Sequence, residues 1–191
     1  HTLHGGTDGS ATRNWKIIEH DNTKVKLFDE LPDGHMGFPG KLTVETTYKV
    51  KKTSINIFIE ASTDKTTLCN FTNHSYFNLD GTKNIANHNL MVNCENVLPV
   101  DKNGIPLTKP VSAKELDLDF KNRRKLSDKG KPTEIDHNFC ISNIQQNLRT
   151  NAIVSAKNIS LELLSTEPGL QVYTGKGLDS GNDEGWGGFP Y

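Results

Sequence analysis

Short runs in which apolar and polar residues alternate recur along the chain, and a period of two is typical of half-buried β-strands. Two neighbouring runs, residues 42–50 and 55–61, show it most clearly. Because only residues 51–54 link them, we expect an antiparallel hairpin. Residues 152–156 and 160–164 predict a second hairpin, since only residues 157–159 link them.

The rest of the chain also favours short strands. They are predicted at residues 15–19, 24–28, 66–71, 90–92, 97–100, 138–141 and 170–173. Residues 107–135 are polar and rich in proline and lysine, which predicts a long irregular loop. No segment keeps a helical period over a dozen residues. Many short strands separated by turns indicate an all-β fold, either a sandwich or a barrel.

Composition narrows the possible partners. The 191 residues suit one large domain or two small ones. Their net charge of -1 lacks the positive field that holds a phosphate backbone, so we expect no nucleic-acid partner. No apolar run is long enough to span a bilayer, so we expect no membrane partner.

Three cysteines are widely spaced and form no CxxC pair, which argues against a zinc site or a redox dithiol. Cys69 and Cys140 lie in apolar, strand-like runs, so we expect buried free thiols there. Free thiols favour a reducing compartment, and we therefore expect a cytoplasmic protein.

Residues 70–81 hold the densest group of polar side chains, with His74 at their centre. Amides and hydroxyls both donate and accept hydrogen bonds, so such a stretch suits a cleft for a polyhydroxylated ligand. The alternative is a polar turn around a structural histidine, and the number of neighbouring hydrogen-bonding groups favours the cleft.

Three further polar spots stand out. His4 precedes two glycines, Asp136 precedes an apolar strand, and Gln171 shares one strand face with Tyr173. Each has a simpler interpretation, because Asp136 can cap a turn and Gln171 can lie on an edge strand.

A metal site built from histidines and a carboxylate is the other alternative. His4, His74, His137 and Asp136 are of the right types. No two histidines are spaced i, i+2 or i, i+4, so the sequence does not favour this site.

Together these segments strongly resemble the aldose 1-epimerase (galactose mutarotase) family. The motifs that carry the resemblance are Leu3-His-Gly-Gly6, Asn70-Phe-Thr-Asn-His-Ser-Tyr-Phe-Asn-Leu-Asp-Gly81, Asp136-His-Asn-Phe139 and Glu167-Pro-Gly-Leu-Gln-Val-Tyr-Thr-Gly175. The resemblance implies a large antiparallel β-sandwich of the galactose mutarotase type with an open sugar cleft. It also implies interconversion of the α and β anomers of an aldohexose, such as galactose or glucose, without a cofactor.

The resemblance also implies roles for individual residues. His74 is expected to be the general acid at the sugar ring oxygen, and His4 to bind and orient the sugar. Histidine suits the acid role because its ordinary pKa is about 6.5. The other implied substrate-binding residues are Ser75, Tyr76, Asp136 and Gln171.

The family's general-base glutamate is expected in a block that follows Tyr191, and its first strands are expected before Leu3. Residues 1–191 are therefore expected to be a single aldose epimerase domain, incomplete at both termini. Lys176 departs from the family, which often has asparagine there.

Two alternatives to the epimerase remain. A non-catalytic sugar-binding or sensing relative would keep the cleft without the base. A hexose-6-phosphate epimerase would need arginines converging on a phosphate, and no arginine lies in the matched motifs. The resemblance leaves monomer and homodimer open.

Overall fold

The computed structural model describes residues 2–128, 130–176 and 178. The chain divides into two compact units, unit 1 at residues 1–75 and unit 2 at residues 76–191. All sheet pairings among the described residues are antiparallel, which confirms the predicted all-β class.

The sheet of unit 1 has four strands in the order β1-β2-β3-β4. The strands are β1 (Lys16–His20), β2 (Lys24–Leu31), β3 (Leu42–Lys51) and β4 (Ser54–Thr63). Leu42, Val44 and Thr46 are buried on alternate positions of β3, as a period of two requires. The predicted hairpin is confirmed, because β3 and β4 pair from Leu42 opposite Thr63 to Lys51 opposite Ser54.

The first hairpin turns at Asp21. Its Oδ1 accepts hydrogen bonds from the backbone N–H of Thr23 at 2.7 Å and from the Thr23 hydroxyl at 2.9 Å. These bonds stabilise the carboxylate, so the pKa of Asp21 lies below its ordinary value. A side chain that replaces turn hydrogen bonds in this way allows β1 to reverse into β2 over a few residues.

Unit 2 contains two four-stranded sheets. Their strand orders are β14-β11-β6-β7 and β13-β12-β5-β8, and β9 and β10 form a small separate pair. The strands are β5 (Asn89–Val92), β6 (Asn96–Leu98), β7 (Val111–Ser112), β8 (Arg124–Lys125), β9 (Ser127–Asp128), β10 (Lys131–Pro132), β11 (Asp136–Cys140), β12 (Arg149–Ala156), β13 (Ile159–Ser165) and β14 (Gly169–Tyr173). The predicted hairpin of β12 and β13 is confirmed.

One apolar cluster joins the two sheets of unit 2. Val97 and Phe139 from the first sheet pack in the same cluster as Val92 and Ala152 from the second. The ring of Phe139 is fully buried and meets the ring of Phe120 edge to face, with 6.3 Å between centroids. A shared core between two sheets is the arrangement of a β-sandwich.

The predicted irregular loop at residues 107–135 is only partly correct. The segment contains β7 to β10 and a short 3-10 helix at Ala113–Leu116. It also buries Leu118, Phe120, Leu126 and Ile135 in the core of unit 2. Leu118 and Phe120 alternate with Asp117 and Asp119, but this period of two is short and lies in a polar segment, and Leu126 is isolated among polar residues.

The predicted strand at residues 66–71 is wrong, because this segment has no ladder partner among the described residues. Cys69 lies there and is exposed, so the expectation of a buried thiol is also wrong at this position. Cys140 is partly buried, and Cys94 is the buried thiol, with its pKa raised by burial to about 11. All three cysteines are free.

The described part of the chain contains no helix long and apolar enough to cross a membrane.

We predict that Phe139→Ala lowers the free energy of unfolding by about 3–5 kcal/mol, because it removes a buried ring and leaves a cavity. Urea denaturation followed by circular dichroism measures this change. Phe58→Ala is the matched control, since the Phe58 side chain is 56% exposed on β4, and its cost should stay below about 1 kcal/mol. Equal costs for the two variants would contradict the assignment of Phe139 to the core.

Candidate functional site: a histidine pair and a polar strand face

His4 lies in a tight turn at the start of unit 1. Its backbone φ is 52°, and Gly5 and Gly6 follow with φ values of 84° and 95°. The N–H of Gly6 donates to the carbonyl of Leu3 at 2.9 Å and closes the turn. Consecutive positive φ angles are readily adopted only by glycine, which explains why two glycines follow His4.

His74 lies in the non-strand segment that follows β4. The side chain of Asn73 organises this segment on both sides, because its Nδ2 donates to the Tyr48 hydroxyl at 3.2 Å and its Oδ1 accepts from the N–H of Ser75 at 3.1 Å. Tyr48 belongs to β3, so this hydrogen bond ties the segment that carries His74 to the sheet of unit 1. This segment has no strand structure and is a loop.

The imidazoles of His4 and His74 meet edge to face. Their centroids lie 5.2 Å apart and their planes differ by 78°. Both residues are exposed. Two adjacent imidazoles offer proton donors and acceptors to the same small molecule. We call these two residues the histidine pair.

Unit 2 presents a polar face on strands β11 and β14. Asp136 lies opposite Tyr173, and Asn138 lies opposite Gln171, so these four side chains share one side of the sheet. The Gln171 Nε2 donates to Asp136 Oδ1 at 2.8 Å. This bond fixes the orientation of the amide, whose Oε1 then faces away from the carboxylate.

Two tyrosines extend this polar face. The rings of Tyr76 and Tyr173 meet edge to face, with 6.1 Å between centroids and 69° between planes. The pKa of Tyr76 is raised, first by burial and then by the nearby Tyr173 and Asp136. Tyrosine combines an apolar ring with a polar tip, as a ligand with C–H and O–H groups requires.

The structure thus brings the predicted residues together in two groups. His4, His74 and Ser75 belong to unit 1, and Asp136 and Gln171 belong to unit 2 together with Tyr76. Their roles in binding and catalysis remain predictions.

His137 differs from Asp136, its neighbour in the chain. It shares its side of the sheet with the buried Phe139, and burial lowers its pKa. Among the described residues, no group of three or more His, Cys, Asp or Glu side chains is placed to hold a metal ion.

The sequence predicts no role for His35 and His88, since it places both in polar turns. In the structure, His88 is buried, and its Nε2 accepts the N–H of Leu79 at 2.8 Å. His35 Nε2 contacts the carbonyl oxygen of Asp8 at 2.8 Å. No local pattern could have revealed these bonds, because each partner belongs to a different turn.

Comparison with known proteins shows the family of the chain. The aldose 1-epimerase family model matches residues 1–189. The chain belongs to the aldose 1-epimerase family. The four motifs that carried the resemblance all lie within the matched range.

Individual relatives agree with the family assignment. The chain is 32% identical over 187 residues to the aldose 1-epimerase of Escherichia coli K12 and 35% identical over 189 residues to the galactose mutarotase of Mus musculus. These alignments cover 92% and 93% of this chain but 54% of each relative. The chain therefore spans about half the length of the curated relatives it matches.

Solved structures agree as well. An aldose epimerase homologue from C. elegans matches with a TM-score of 0.85 and 26% identity, over 94% of this chain and 57% of that protein. The galactose 1-epimerase of Lactobacillus acidophilus NCFM matches with a TM-score of 0.79 and 26% identity, over 93% and 55%. These similarities confirm the galactose mutarotase-like fold of this family member.

We predict that His88 makes stability depend on pH. Burial lowers its pKa below the ordinary 6.5, while the nearby Asp80 opposes the shift. The unfolded chain therefore binds more protons in this range, and the free energy of unfolding falls as the pH drops through 6.5 towards the folded-state pKa. One such proton gives at most about 1.4 kcal/mol per pH unit.

Urea midpoints measured between pH 7.5 and 5 test this prediction. His88→Gln keeps an acceptor for the Leu79 N–H but does not titrate, so its midpoint should vary less with pH than that of the wild type. The partly buried His137 contributes with the same sign in both proteins. The exposed His20 supplies the control His20→Gln. An unchanged pH dependence in His88→Gln would contradict the prediction.

Proposed function

We propose that this protein acts as an aldose 1-epimerase and interconverts the α and β anomers of an aldohexose such as galactose or glucose. The observation that carries the proposal is the histidine pair, since residues 70 positions apart in the chain place their imidazoles 5.2 Å apart. The names of the relatives support the same reaction.

The chemistry requires one acid and one base. A base removes the proton of the C1 hydroxyl, the C1 carbonyl forms, and the bond between C1 and the ring oxygen breaks. In our proposal His74 delivers a proton to the departing ring oxygen. Rotation about the C1–C2 bond and closure on the other face yield the second anomer and return both protons.

The other residues are proposed to bind the sugar. His4 orients the sugar beside His74. Asp136 accepts hydrogen bonds from sugar hydroxyls, and Gln171 donates and accepts through its amide. The remaining proposed contacts are Ser75 and Tyr76. For the base, the resemblance to the family implies a glutamate.

We also propose that the protein works in the cytoplasm as a monomer or homodimer, within a single aldose epimerase domain. The free thiols support a reducing compartment. The net charge of -1 offers no strongly positive field for nucleic acid, and the proposed partner is a free sugar, without nucleic acid or membrane.

Polarimetry of freshly dissolved α-D-galactose and α-D-glucose tests the proposed activity, with the mass of the purified protein measured alongside. We expect the optical rotation to decay faster with protein than without it. Sugar binding by calorimetry without faster decay would replace the proposal with a non-catalytic sugar-binding protein. If the protein neither binds sugar nor accelerates the decay, the epimerase proposal and the sugar-binding alternative are both refuted.

We predict that His74→Ala lowers kcat by about 10²–10⁴-fold, because it removes the proposed acid. Circular dichroism should show an unchanged fold, since His74 is exposed. The control is His20→Ala, which removes an exposed histidine from the end of β1 and should leave the rate unchanged. A near-normal rate in His74→Ala would remove His74 from the acid role.

A further inference from the structure

Residues 3–15 form a loop that carries His4, and an arginine outside the histidine pair fastens this His4 loop to the sheet of unit 1. Arg13 Nε donates to Asp29 Oδ2 at 2.9 Å, and its Nη2 donates to Asp29 Oδ1 at 3.1 Å. The same Nη2 donates to the carbonyl of Glu30 at 3.1 Å. Its Nη1 also donates to Asp8 Oδ2 within the loop at 3.4 Å. A guanidinium held at four oxygens, three of them on β2, has one orientation, so the end of the loop is fixed to β2.

Asp29 is an unusual residue for its position. It is 6% exposed and lies opposite Val44, which is fully buried. Its Oδ1 also accepts the N–H of Glu30 at 2.9 Å. Burying a carboxylate in an apolar row costs free energy unless the carboxylate is paired and hydrogen-bonded. The buried position of Asp29 therefore depends on its bonds to Arg13.

A second set of contacts holds the middle of the loop. Because a carbonyl only accepts, His35 Nε2 donates its proton to the carbonyl oxygen of Asp8 at 2.8 Å. Gly6 packs so closely on Met36 that an added Cβ would lie 2.4 Å from the Met36 Cε. The His4 loop therefore rests on the short 3-10 helix at His35–Gly37 as well as on β2.

Internal hydrogen bonds make the loop a single body. The N–H of Gly9 donates to the carbonyl of Gly6 at 3.1 Å, and the Thr12 hydroxyl donates to the carbonyl of Gly9 at 2.9 Å. The Trp15 indole donates to the carbonyl of Ser10 at 2.8 Å. These bonds connect the end of the loop that carries Arg13 with the turn that carries His4.

We propose that Arg13 and Asp29 are positioning residues that hold His4 against His74. The contact between the histidines follows from the geometry of unit 1 alone. Its effect on catalysis rests on the proposed function, in which His4 orients the sugar. Neither Arg13 nor Asp29 is proposed to touch the sugar.

The main test is the double variant Arg13→Met/Asp29→Leu. Removing Arg13 alone would leave an unpaired buried carboxylate and risks unfolding. Replacing both the buried Asp29 and the partly exposed Arg13 by apolar side chains leaves no such unpaired charge. The conservative variant Arg13→Lys keeps the charge but cannot grip both carboxylate oxygens. Both variants are studied in the full chain.

The first readout is independent of activity. In protein labelled with ¹³C-histidine, the ring protons of His4 and His74 should give a nuclear Overhauser effect, since their centroids lie 5.2 Å apart. We expect the double variant to lose this effect and Arg13→Lys to weaken it. Retention of the full effect in the double variant would overturn the proposal.

The second readout separates positioning from simple loss of folded protein. Fewer folded molecules lower the apparent kcat at unchanged KM, whereas a displaced His4 also raises KM. We expect kcat/KM in the double variant to fall by about 100-fold, as misplacement by about 1 Å can cause. An unchanged KM would overturn the catalytic part of the proposal.

Arg124→Met is the matched control. Arg124 also pairs with an aspartate, since its Nη1 donates to Asp117 Oδ1 at 2.9 Å and its Nη2 to the Asp117 carbonyl at 2.8 Å, but it belongs to unit 2. This control should keep the Overhauser effect and KM. If the wild type shows no mutarotation, the proposed function fails, while the Overhauser effect still decides whether Arg13 and Asp29 position His4.

Discussion

The alternation of side chains along antiparallel strands is the constraint on which this structure depends. Strand β11 shows it most directly, because Phe139 must enter the core for the two sheets of unit 2 to pack together. Once Phe139 faces inward, Asp136 and Asn138 must face the other side. The polar face with Gln171 and Tyr173 is therefore a consequence of core packing, and a shift of one residue in register would bury it.

The histidine pair depends on a different kind of interaction. His4 and His74 both lie outside strands, so no ladder holds them. Side-chain hydrogen bonds hold the two loops instead. Asn73 bonds to the Tyr48 hydroxyl next to His74, and Arg13 bonds to Asp29 at the end of the His4 loop. Loops anchored in this way place chemical groups accurately while leaving them exposed, which a core position does not allow.

Local patterns predicted the strands that pair with their chain neighbours. The hairpins β3–β4 and β12–β13 lie close to their expected positions, since alternation and a short link are both local signals. Prediction failed where the outcome depends on distant residues. Residues 66–71 have strand-like composition but pair with no strand among the described residues. Leu118, Phe120 and Leu126 lie in the core, although the sequence predicts an irregular loop for their segment.

The sequence by itself determined the all-β class, the two hairpins, the residue types of the candidate site and, through its motifs, the family. These follow from local periodicity and from short strings of residues. Only the tertiary structure decided that His4 meets His74, that Gln171 bonds to Asp136, and that Asp29 is buried beneath Arg13. Each of these contacts joins residues 16 to 70 positions apart, and their distance in space depends on how the intervening strands pair.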